Sequence, residues 1–177
     1  MTYRYFYDWE FQEQQDEVTG LTTIFPISLG IVSDDGRELY LVNNSYFHWE
    51  HTGLVKTSDW VRNNVLNYIT DADRVKYGYN FKRFGMHIKY FISRGGTIKD
   101  RSNVELWGYY ADYDHVCLSQ CFGSMMQLPD CIPMCTMDIK QLVGGKRIGF
   151  QPEDEHHALS DARWNKKVWD IYNEDDR

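Results

Sequence analysis

Residues 3–11, Tyr3-Arg4-Tyr5-Phe6-Tyr7-Asp8-Trp9-Glu10-Phe11, are dense in aromatic rings and carry two acids two positions apart. Such aromatic density suits a pleated strand, and the expected strand covers 3–9. Side chains at i and i+2 of a strand share a face, so Asp8 and Glu10 reach one point while Trp9 faces away. The apolar neighbours Tyr5, Phe6, Tyr7 and Phe11 make a solvated acidic face less natural, although the D-x-E spacing alone is equally served by one.

Outward from this stretch, 25–34 and 37–43 predict a second and a third strand. Ser33-Asp34-Asp35-Gly36 lies between them, and Asp-Gly favours a tight hairpin, which assigns Asp34 and Asp35 to turn chemistry. Asp59 is expected to cap a helix from Trp60 to about Ile69. A second helix is expected over 81–93, stopped by Gly95-Gly96. Val104 to Tyr110 reads as a fourth strand, and Asp114 opens a helix through about Gln127. Asp138 begins or precedes a short helix ending at Gly144-Gly145, a polar loop covers 146–155, and a last helix runs from about His157 to Tyr172. An antiparallel start followed by alternating helices and strand predicts an α/β fold, a mixed sheet flanked by helices, as one domain over 1–177.

The bulk numbers narrow the class. A net charge of −7 argues against a passive nucleic-acid coat, while an enzyme reaching nucleic acid through divalent cations stays open. No apolar run of 18 residues exists, so no membrane span is expected. The start of the chain lacks the pattern of a secretory signal, and a cytoplasmic protein is expected. Cys117, Cys121, Cys131 and Cys135 form two C-x3-C pairs, which raises a structural zinc site. The spacing departs from the usual C-x2-C, and buried free thiols are the preferred reading.

Three further residues complete a chemical set. Asp114 stands at a strand–helix junction, where the alternative is a helix cap, and Asp112 competes with it. Asp161 falls in the first turn of the last helix, with His156 in the loop before it and His157 as a rival. A carboxylate on a rigid element beside a more mobile imidazole suits a metal ligand plus a general base. Carboxylates converging from distant segments repel one another unless cations join them.

The ordered set D-x-E, Y-D and H-x4-D, with the flanks YFYDWEF, ISLGIVSDDGRELYLV, WVRNNVL, YDHV and HALSDAR, resembles the DEDDh 3′–5′ exonuclease superfamily, which has an RNase H-like fold. Over nearly the whole chain it is most similar to the small polyadenylate-preferring RNase AS group, and His156 to Asp161 look like the third motif of oligoribonuclease-type enzymes. The resemblance implies a 3′–5′ exoribonuclease working by a two-metal-ion mechanism and releasing nucleoside 5′-monophosphates. Asp8, Glu10, Asp114 and Asp161 would hold two divalent ions, Mg2+ with Mn2+ able to substitute, and His156 would take the proton of water. The alignment selects Asp114 over Asp112 and His156 over His157. Single-stranded RNA or an RNA 3′ overhang is the implied partner, no membrane is involved, and a homodimer is borrowed from the same resemblance. Trp9, Phe11 and Arg62 are the candidates for substrate contact.

Two departures stand out. Trp9 replaces the threonine of the commoner D-T-E, which bears on packing or the substrate wall. The segment 76–101 is longer than the resemblance suggests, with seven cations against the single acid Asp100. Its interleaved aromatics suit single-stranded nucleic acid, with a solvated basic helix face as the plainer reading. The competing functions are a 3′–5′ DNA exonuclease and a catalytically silent RNA-binding module on the same fold.

Overall fold

The computed structural model describes residues 2–144, 146, 148 and 154–174. Strand β1 (Tyr3–Gln15) pairs antiparallel with β2 (Thr22–Ser33), which pairs antiparallel with β3 (Glu38–Asn43). Helices α1 (Asn44–His51), α2 (Asp59–Asn64) and α3 (Asp71–Lys76) lead to the short strand β4 (Gly78–Tyr79), parallel to β3. Helix α4 (Phe84–Ile92) precedes β5 (Val104–Gly108), parallel to β1, and α5 (Asp112–Gln120) precedes β6 (Met137–Asp138), parallel to β5. Helices α6 (Ile139–Leu142) and α7 (Ala158–Glu174) follow, and the six-stranded sheet has the order β4-β3-β2-β1-β5-β6. This is the mixed sheet with flanking helices expected above. No helix among the described residues is long and apolar enough to cross a membrane.

Strand parity divides the core. Tyr5, Tyr7 and Trp9 pack on Phe84 and Ile88 of α4 and Leu118 of α5. Phe6, on the other face, packs with Trp107, Ile139 and the α7 residues Trp164 and Val168. The β1–β2 register slips beside Pro26, which has no N–H for the ladder, so Ile27 has no opposite residue on β1.

Several boundaries differ from expectation for local reasons. Strand β1 continues to Gln15 because β2 pairs with it up to Thr22, and Asp16 closes the turn by accepting the Val18 and Thr19 N–H groups. Residues 44–51, to which no element was assigned above, form α1, capped by the Asn43 side chain at the Ser45 N–H. Ser58, not Asp59, caps α2. That helix stops at Asn64, and Leu66–Tyr68 is a 3-10 turn, while Asn64 and Asn67 side-chain amides donate to carbonyls one turn back. The unforeseen α3 starts with a Thr70–Asp73 capping box. The helix expected over 81–93 begins as a 3-10 turn, Phe81–Arg83, and is stopped by Arg94, Gly95 and Gly96, all at positive φ. Strand β5 ends at Gly108 rather than Tyr110, and α5 ends at Gln120, with Gly123 at φ 96° breaking any continuation toward Gln127. Asp138 caps α6 through the Gln141 N–H, as foreseen. Most of the expected 146–155 loop, and Gly145, lie outside the described residues.

The Ser33–Gly36 turn matches its reading: Ser33 N–H donates to Arg37 O at 2.9 Å and Gly36 has φ 82°. Asp35 is held there by Ser33, Arg37 and Arg94. The thiols are all free; Cys117 and Cys131 are buried and Cys121 is half-buried, but Cys135 is exposed, so the expectation of burial fails for that one.

Candidate active site

The site forms where the sheet opens. Parallel pairing of β1 with β5 reaches only Phe6 and Trp107, so beyond that point this edge of β1 has no neighbouring strand. Two buried side chains take its free groups. Asn165 Nδ2 donates to Tyr7 O at 3.0 Å, and Trp9 N–H donates to Asp114 Oδ1 at 2.7 Å. Asp8 and Glu10 flank that amide and project to the face covered by α7.

Close approach of α7 depends on Gly30, which lies opposite Asp8 in the ladder. A Cβ at Gly30 would sit 2.3 Å from Ala158 O and 2.4 Å from Leu159 Cα, so only glycine lets the helix start rest on the sheet here. Arg163, in the next turn of the helix, fixes it further by two bonds to Glu38, each 2.7 Å. Asp161, in the first turn, is thereby delivered to the two β1 acids. Ligand oxygens of Asp8, Glu10 and Asp161 lie within 4.8 Å of one another. Asp114 is buried just behind them on α5, while Asp112 is exposed.

The electrostatics are those of acids held together against repulsion. Burial, then the charges of Asp114, Glu10 and Asp161, push the Asp8 carboxyl well above the carboxylate range. Burial and then Asp161 and Asp114 do the same to Glu10. Burial raises Asp114 to about 7 despite the Trp9 amide, and raises Asp161 to about 7 despite the His156 amide. Among the described residues, no lysine or arginine lines the cleft. Hard oxygen donors without a protein cation are a donor set that fits divalent metal.

The two histidines have separate environments. His156 has φ 70°, and its N–H donates to Asp161 Oδ2 at 2.9 Å. Its ring meets Trp60 edge-on, with centroids 4.8 Å apart, and it lines the cleft with the acids. His157 stacks instead on Tyr40, with centroids 4.8 Å apart, and burial lowers its pKa.

The cleft holds roughly 320 Å³. Trp9 and Phe11 line it, although Trp9 is 3% exposed and stacks on Phe84 at 6.0 Å. Arg62 is not among the lining residues; it is exposed and pairs with Glu50 at 2.7 Å. His48 and His51 are exposed on α1, outside the metal-competent group found among the described residues. Sequence reasoning missed Trp60, Tyr109, Glu155, Trp164 and Asn165 as cleft residues. Only Asn165 carried a local signal, being four residues after Asp161 on the same helix face.

Residues 4–172 match the 3′–5′ exoribonuclease Rv2179c-like domain family. The chain is 36% identical over 163 residues to 3′–5′ exoribonuclease Rv2179c of Mycobacterium tuberculosis (strain ATCC 25618 / H37Rv), covering 90% of this chain and 87% of the relative. The same values hold for 3′–5′ exoribonuclease MT2234.1 of strain CDC 1551 / Oshkosh. Among solved structures, exonuclease I superposes with a TM-score of 0.59 at 12% identity, over 97% of this chain and 41% of that one. Apo exonuclease I gives 0.58 at 12% identity, over 98% and 42%. The chain thus spans about two fifths of exonuclease I, and the likeness is one of fold, RNase H-like.

Proposed function

Because the chain belongs to the 3′–5′ exoribonuclease Rv2179c-like domain family and is a 3′–5′ exoribonuclease, we propose that it releases nucleoside 5′-monophosphates from single-stranded RNA or a 3′ overhang. Asp8, Glu10, Asp114 and Asp161 hold two divalent cations, Mg2+ by donor chemistry. The carrying observation is the convergence of Asp8, Glu10 and Asp161 oxygens within 4.8 Å in a cleft that no described lysine or arginine lines.

Bound divalent ions supply activation of water and stabilisation of the charge that develops on the phosphodiester oxygens. The chain's own groups do the rest. His156, on the loop before α7, takes the proton of the attacking water. The His156 backbone N–H bond to Asp161 ties the loop that carries the base to a proposed ligand. Phe11 and Trp60 form apolar cleft wall against which the terminal nucleotide lies. Four free thiols are consistent with the cytoplasmic setting proposed here. A homodimer is carried on the family resemblance, and a solution mass equal to one chain would remove it.

The deciding experiment incubates matched RNA and DNA homopolymers with the purified protein and Mg2+ and resolves the product ladder. Mononucleotides from the 3′ end of RNA are expected, with none after Asp8→Asn. Full activity of that variant, or products from the 5′ end, would overturn the reading.

A further inference from the structure

Helix α4 buries Phe84, Ile88 and Ile92 against the sheet and turns another face to solvent. Tyr90 is 71% and Met86 61% exposed on that face, beside exposed Lys89. The 3-10 turn before it adds exposed Lys82 and Arg83, and the loop after it adds Lys99. Of the other aromatics in 76–101, Tyr77, Tyr79, Phe81 and Phe91 are half-buried and Phe84 is buried, so Tyr90 alone keeps a largely open ring.

Apart from Lys76, which lies over the Tyr77 ring, the cations of this segment fall into two groups. Arg94 pairs with Asp35, and Arg101 lies 3.7 Å from Asp130. Lys82, Arg83, Lys89 and Lys99 have no ion-pair partner among the described residues. Two adjoining hollows run along the face. One, roughly 600 Å³, is lined by Lys82, Met86, Lys89 and Tyr90; the other, roughly 410 Å³, shares Lys89 and adds Lys99 and the exposed acid Asp130. The first turn of α4 is one aromatic layer from the catalytic cleft, because Phe84 stacks under Trp9, which lines that cleft.

We propose that this face binds single-stranded RNA upstream of the 3′ end, with backbone phosphates at Lys82 and Lys89 and a base against Tyr90. The inference rests on the exoribonuclease reading of the cleft. A chain of net charge −7 repels a polyanion over most of its surface, so unpaired cations beside an open aromatic ring mark where RNA meets least resistance. The two lysines are seven positions apart, a reach of about 10 Å at helical rise. No described aromatic ring lines the second hollow, which places the RNA on the Lys82 side beside Tyr90.

The test compares wild type with Lys82→Gln/Lys89→Gln, and separately with Tyr90→Ala, on a dinucleotide and on RNA of about 20 nucleotides, more than enough to span both sites. Binding of the longer RNA is also measured against salt in an Asp8→Asn background. The double variant is expected to raise KM for long RNA roughly tenfold, to lower the salt slope by about 1.4, and to leave dinucleotide kcat/KM unchanged. Tyr90→Ala is expected to raise KM for long RNA with no change in slope. An unchanged KM and slope for long RNA overturns the proposal and leaves the face to an acidic protein segment. An equal loss on the dinucleotide also overturns it, since the effect then lies in the cleft or the fold. If wild type hydrolyses neither RNA, the cleft reading fails, while the salt slope still decides the α4 surface.

Discussion

Asp114 commits one carboxylate oxygen to the Trp9 amide, the strand position between Asp8 and Glu10, and so locks the proposed ligands to one backbone unit. Asp8→Asn keeps the shape and removes a carboxyl that burial and then the charges of Asp114, Glu10 and Asp161 push well above the carboxylate range. It is expected to abolish mononucleotide release while raising the melting temperature of the metal-free protein; a lower melting temperature would show that repulsion is not what strains the site. Trp60 is 54% exposed, lines the cleft and touches the His156 ring. Trp60→Ala is expected to cost about 1–3 kcal/mol in kcat/KM, the scale of one base stacked on an aromatic ring. The same variant on RNA ending in an abasic residue should lose far less, and equal losses on both substrates would assign Trp60 a packing role.

At the scale of elements, β1 and α7 build the site together and Gly30 sets their separation. Gly30→Ala drives a methyl into the backbone of α7 and is expected to destabilise by about 1–3 kcal/mol, as overpacking does. Activity should fall further than the unfolded fraction explains, because Asp161 shifts with the helix; melting curves and kcat measured on the same sample separate the two. The β1 contribution was legible, since period-two alternation is a local property and Asp8, Glu10 and Trp9 obey it. Helix α1 was not, because His48, Trp49, Glu50 and His51 carry no helical apolar spacing and its order comes from the Asn43 cap and the burial of Tyr46. The choice of cap at α2 failed in the same way, as Ser58 and Asp59 are equally good by type and geometry alone separates them.

For the molecule as a whole, pH and metal act on one quantity. Asp114 and Asp161 are raised to about 7 by burial, so the folded chain binds protons more tightly than the unfolded one across the interval from the ordinary carboxylate range up to about 7. Stability from these groups is full below that interval and is lost as pH rises through it. Asp35, lowered to about 2 chiefly by the Ser33 hydroxyl, and Glu38, lowered by Arg163, act in the opposite sense and lose their contribution as pH falls toward their folded values. Metal-free protein is therefore expected to melt highest in weakly acidic solution and lower at pH above 7, with added Mg2+ raising the melting temperature most at the alkaline end. An equal Mg2+ effect at both ends would show that the acids do not titrate as a repelling cluster.

Residue order alone determined the α/β class, the hairpin at Ser33–Gly36, the pairing of Asp8 with Glu10 on one face and the family resemblance. Each depends on neighbours a few positions apart or on motifs kept in order along the chain. Only the tertiary structure decided that Asp161 reaches the β1 acids, that Asp114 and Asn165 close the open strand edge, and that Trp60 walls the cleft while Arg62 turns to Glu50. Those outcomes depend on how closely α7 and α2 approach the sheet, α7 through Gly30 and α2 through the burial of Val61 and Val65 with Ile27 and Tyr46, contacts between separate segments that no local pattern encodes.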